Sequence, residues 1–134
     1  MATIPDVCPN CGTAIIVNVG QRVFQNQLVW SQGFHCSNCG EASEADGHGN
    51  PPAVIEEALL AQEGRWDLWI ETTNGETVRA LRVLRECLDL ELADIATWKR
   101  RIPGAVTSGT RAQMKWLVHV LQRAGINGVV KQQA

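Results

Sequence analysis

Basic side chains are nearly missing from the first half of this 134-residue chain. Residues 1–64 hold Arg22 alone against seven acids: Asp6, Glu41, Glu44, Asp46, Glu56, Glu57 and Glu63. Phosphate contacts need lysine and arginine, so this half is a poor reader of nucleic acid, and nucleic acid is not an expected partner. Residues 65–134 reverse the balance, with eleven basic and seven acidic side chains, and the break is read as a domain boundary. Also missing is any run of 18 or more apolar residues, which excludes a membrane-spanning helix. The opening MATIPDVCPN has no basic stretch leading into an apolar core, so no signal peptide is expected there. The expected compartment is the cytoplasm, where thiols stay reduced. No Walker loop, G-x-S-x-G, H-E-x-x-H or magnesium-type acid cluster occurs, and the chain is expected not to be an enzyme.

What is present begins with cysteine. Four of the five cysteines fall in two near-identical pentapeptides, CPNCG at 8–12 and CSNCG at 36–40, separated as C-x2-C, 24 residues, C-x2-C. A tight turn with two residues between cysteines delivers both sulfurs to one metal ion, and two such turns complete a tetrahedron. Gly12 and Gly40 allow the positive φ that each turn needs. AIIVNVG and QNQLVWSQGFHC between the pairs read as two short strands. Such a module resembles a zinc ribbon, which implies one structural Zn2+ on Cys8, Cys11, Cys36 and Cys39. A catalytic zinc would need an open position, and a thioredoxin-like redox pair would need one C-x-x-C rather than two. His35 and His48 are read as bystanders. Phe24, Trp30 and Phe34 either cover the ribbon's own small core or meet a partner. So small a segment buries too little apolar surface to hold itself, and metal supplies the difference.

The ribbon is assigned to residues 1–44, an acidic linker and short helix to 45–64, and a second domain to 65–134. GEASEADGHGNPP (40–52) reads as a polar connector. AVIEEALLAQEG reads as a helix joining the two domains, with Val54, Ile55, Ala58 and Leu59 on one face and Gly64 as its stop.

In the second domain, RWDLWIE alternates as a strand, with Trp66, Leu68 and Ile70 on one side and Trp69 on the polar side. A turn is placed at Asn74-Gly75. Val78, Leu81, Leu84 and Leu88 then recur at helical spacing, with Cys87 as a buried small residue. Asp89 is read as the cap of a further helix, LELADIATWKRR. Thr110 and Gln113 form a capping box ahead of Met114, Leu117, Val118 and Leu121, Gly125 ends that helix, and INGVVKQ closes as a strand. The order strand, helix, helix, strand, helix, strand predicts an α+β sandwich with helices on one face of a small sheet. Trp66, Trp98 and Trp116 are assigned to the core, and Trp69 is the candidate exposed anchor.

The segments WDLWIE, TVRALRVLRECLDLELADI, the proline of RRIPG and LQRAGINGVVK give this half a resemblance to the C-terminal domain of the bacterial ribosomal stalk protein, over residues 66–131. In that family the first two helices of the domain recruit translational GTPases. Val78, Leu81, Arg82 and Arg85 stand where the family's V-x-x-I-K-x-V-R residues stand. Glu91, Ala93 and Ala96 replace the glycine and lysines of its G-L-G-L-K-E-A-K stretch. Arg79, Arg82 and Arg85 recur every three residues and share a helix face. Trp69, Val78, Arg79, Leu81, Arg82 and Arg85 are therefore the expected partner surface. The expected function is a non-enzymatic protein-binding module. One form is an immunity protein or antitoxin that covers a toxin; the alternative is a translation-associated factor that touches a GTPase or the ribosome.

Overall fold

The computed structural model describes residues 1–71 and 76–133, so the turn read at Asn74-Gly75 lies outside the described residues. The fold is α+β, with four helices and two antiparallel sheets among the described residues. The chain divides into two compact units, Met1–Gly64 and Arg65–Ala134.

The first unit is a meander of β1 (Ala2–Val7), β2 (Ala14–Phe24), β3 (Gln27–His35) and β4 (Ala42–His48), paired in that order, followed by α1 (Ala53–Glu63). Gln25 and Asn26 both take positive φ, 49° and 65°, which is the two-residue loop whose twist suits a hairpin between β2 and β3. Alternation places Ala2, Ile4, Val17, Val19 and Trp30 on one face of the sheet. Ile55 and Leu59 of α1 close over them as a small core. Val54, expected on that face, is instead 54% exposed.

The helix read as a joint between domains packs on β1 and β2 of its own unit. Gln62 fixes it there. The Thr3 backbone N–H donates to Gln62 Oε1 (3.0 Å), Gln62 Nε2 donates to the Thr3 carbonyl (2.7 Å), and the Met1 ammonium pairs with Glu63.

The sequence reading of 40–52 as a connector is corrected. Residues 42–48 form β4, in register with β3 from Val29↔His48 to His35↔Ala42. ASEADGH has little strand propensity of its own. Its place is set by β3, because the Trp30 indole lies over Gly47 so closely that a Cβ there would sit 2.7 Å from the ring. β1, which carries Pro5, was not anticipated either; proline is tolerated there because β1 is an edge strand.

The second unit has β5 (Trp66–Ile70) at the centre of its sheet, between β6 (Gly104–Gly109) and β7 (Gly128–Gln132), both antiparallel to it. Leu68, Ile70 and Val106 face a core completed by α2 (Glu76–Leu88) and α4 (Arg111–Arg123) through Ala80, Leu84, Met114, Leu117 and Leu121. Trp66, Trp98 and Trp116 pack against this core, Trp98 from α3 (Leu92–Arg101).

Both ends of α4 are closed as expected. The Gln113 N–H donates to Thr110 Oγ1 (3.2 Å) and the Thr110 N–H to Gln113 Oε1 (2.9 Å). Beyond Gly125 (φ 79°), the Ile126 N–H reaches the Leu121 carbonyl (2.9 Å), and both side chains are fully buried. Two details of the preceding helices differ. The buried side of α2 is Ala80, Leu81 and Leu84, leaving Val78 58% and Leu88 36% exposed. Asp89 does not cap α3; it takes a left-handed φ of 53° after α2. Glu91 is the N-cap, its N–H donating to the Asp94 carboxylate (3.2 Å). Cys87 is half-buried, and burial together with Glu86 pushes its thiol up.

Candidate metal centre

The two pentapeptides fold alike. In the first, the Cys8 N–H donates to the Thr13 carbonyl (2.8 Å) and the Gly12 N–H to the Cys8 carbonyl (2.8 Å). In the second, the Cys36 N–H donates to Glu41 (2.7 Å) and the Gly40 N–H to Cys36 (2.9 Å). Gly12 and Gly40 sit at φ 77° and 79°, in open space, so glycine is there for its backbone and not to avoid a clash. One turn follows β1 and leads into β2; the other joins β3 to β4. The meander thereby brings both to the same end of the sheet.

All four sulfurs of Cys8, Cys11, Cys36 and Cys39 lie within 4.8 Å of one another. Cys8 Sγ to Cys39 Sγ and Cys11 Sγ to Cys36 Sγ are each 3.6 Å. A tetrahedral thiolate site with metal–sulfur bonds of ~2.3 Å has edges of about 3.8 Å, so the cluster can hold one metal ion with little movement. Cys8 and Cys36 are buried against Ile15, with Phe34 and Val17 packed alongside, whereas Cys11 and Cys39 are exposed. Phe34 thus covers the centre, and Trp30 covers the neighbouring core. Phe24, at the far hairpin, is 50% exposed with the Arg22 guanidinium 5.2 Å from its ring.

The thiols differ in acidity. The Asn38 amide and Thr13 hold Cys11 down to about 5. The Asn10 amide and the Glu41 N–H likewise hold Cys39 below the usual thiol value. At Cys8, backbone donation from Cys11 pulls downward, but burial and the Cys39 and Cys36 thiols push it up to about 11. Metal binding requires thiolates. At pH 7 metal uptake is therefore expected to expel the Cys8 proton and none from Cys11. As pH falls through about 5 the Cys11 proton must be displaced too, and affinity drops more steeply. Calorimetry in buffers of different ionisation enthalpy, repeated across pH, counts these protons.

Asn10 and Asn38 went unread in the sequence, although both pentapeptides carry asparagine directly before their second cysteine. Asn38 Nδ2 reaches across the centre and donates to Cys11 Sγ of the other turn (3.5 Å).

The expected partner surface in the second unit does not hold together as one patch. Leu81 is only 5% exposed and belongs to the underside of α2. Trp69 is half-buried on the sheet face opposite Leu68 and Ile70, with Lys131 Nζ 4.0 Å from its ring, and so lies away from α2. Val78, Arg79, Arg82 and Arg85 remain exposed along α2. Arg79 approaches Glu76 at 3.8 Å, and Arg82 and Arg85 make no ion pair among the described residues. Arg101, from the basic end of α3, instead donates to the Val106 carbonyl (2.9 Å).

No protein-family model, curated protein or solved structure matches the chain.

Proposed function

We propose that the chain is a non-enzymatic protein-binding module, its first unit held by one structural Zn2+ and its second docking an acidic protein surface through Val78, Arg79, Arg82 and Arg85. Four sulfurs at tetrahedral spacing support zinc, because four thiolates leave no position open for substrate or water. The binding reading is carried by one observation: an apolar side chain 58% exposed among three exposed guanidiniums on one helix. Apolar contact flanked by arginine is the composition of binding hot spots.

The opposite charges of the two halves favour a neutraliser that meets its target with both units, in the manner of an immunity protein or antitoxin. The arginine stripe by itself favours the translation-associated reading. The test is recovery of partners on the tagged chain from its own cells, in low and high salt, beside Arg82→Glu/Arg85→Glu. The double reversal is expected to lower capture of the main partner at least about 10-fold, within the range of interface charge pairs. Zinc content should stay unchanged. Equal capture by wild type and variant removes α2 from the interface. A toxin as the lost partner supports the neutraliser, and a GTPase or ribosome supports the alternative.

A further inference from the structure

We infer that Asn38 acts as a positioning residue for the metal centre, its side-chain amide steadying the negative charge on the exposed Cys11 of the opposite turn; the inference rests on the zinc reading above. Four thiolates around a divalent ion carry a net charge of two minus. A lysine or arginine nearby would be the simplest offset, and the first unit has neither beside its cysteines. Arg22 is its one such residue, nine positions along β2 from Thr13, about 30 Å away at the usual strand rise, and it lies over Phe24. Charges at that range are screened. Within the first unit the offset therefore falls to dipoles close at hand.

Backbone N–H groups supply some of these. The side-chain share at Cys11 comes from Asn38, whose amide leaves its own turn and donates to the outer sulfur of the other (3.5 Å). Cys11 is exposed, where solvent and electrophiles have access, while Cys8 and Cys36 are shielded by packing. The amide thus serves where burial does not, and it ties one turn to the other's ligand.

Asparagine also suits tight turns for its own sake, so the test must separate donor from turn-former. Aspartate does this: it keeps the turn preference but replaces the N–H donor with a carboxylate. Zinc affinity of the full chain is read by competition with a chromophoric chelator, for wild type, Asn38→Ala and Asn38→Asp. The alanine variant is expected to lose about 10- to 100-fold, the usual effect of removing a partner of a metal ligand. The aspartate variant is expected to lose more than the alanine variant. In the zinc-loaded alanine variant, Cys11 should be alkylated by iodoacetamide several times faster than in wild type, with Cys8 and Cys36 unchanged.

An Asn38→Asp variant that holds zinc as tightly as wild type would overturn the inference and leave Asn38 as a turn residue. Wild-type chain that takes up no zinc would remove the zinc reading itself, a different result from the same titration. Should Asn38→Asp not fold with zinc, Asn38→Ala carries the comparison, and alkylation of its Cys11 at the wild-type rate would overturn the inference equally.

Discussion

Cys36→Ser is expected to leave the chain without bound metal and with its first unit unfolded, while residues 65–134 remain folded. Cys36 is fully buried and supplies one of four sulfurs. Structural zinc sites contribute on the order of 10 kcal/mol of folding free energy. The first unit has little to set in its place. Its core beside α1 has three large side chains fully buried, Val19, Ile55 and Leu59, at about 1.5–3 kcal/mol each, together less than the metal supplies. Removing the bound metal from wild type with a chelator should give the same half-unfolded chain and reverse on adding zinc. Zinc quantification and amide exchange resolved by residue are the readouts. A variant that keeps protection in β2 and β3 would show that the sheet stands without metal.

Leu121→Ala is expected to do the converse, melting the second unit at least about 10 °C lower while metal uptake by the first unit stays unchanged. Leu121 is fully buried in the second core, and its carbonyl receives the Ile126 N–H that ends α4. Truncating such a side chain costs about 2–5 kcal/mol. In a domain of this size each kcal/mol moves the midpoint by about 4–8 °C. Calorimetry of the zinc-loaded chain should resolve two transitions, with only one displaced. A single transition that moves as a whole would show that the two units unfold as one.

The second unit was the more legible half in the sequence, and the reason is local. Its order of elements follows from period-2 and period-3.6 patterns and from contiguous caps, the Thr110–Gln113 pair above all, whose chemistry is complete within four residues. The error in α2 came from weighting size. Val78 and Leu88 were assigned to the stripe, but small Ala80 sits inside and Val78 outside. Leu81 could not be both stripe and contact surface, and the structure makes it stripe. Trp69 was rightly placed on the polar side of its strand, but that side is the opposite face of the unit from α2.

In the first unit the clustering of the four cysteines was legible because spacing alone encodes it. β4 was not, because its conformation comes from pairing with β3 beneath the Trp30 ring rather than from any alternation of its own. The cross-turn reach of Asn38 was hidden for a similar reason. The letters repeat, but which sulfur the amide meets depends on how two distant turns face each other.

The four-stranded sheet has one more property, which concerns crowding more than binding. A meander leaves two margins, here β1 and β4, and an open margin is a template on which another copy of the same sheet can grow. On β1, Gln62 already takes the Thr3 N–H and carbonyl, and Pro5 has no N–H to offer an incoming strand. β4 carries Glu44 and Asp46, which set like charge against like when two such margins meet. The weak strand-forming sequence of β4 is then an asset at high concentration. Its poor propensity and its acids keep a sheet that needs four strands from recruiting a fifth.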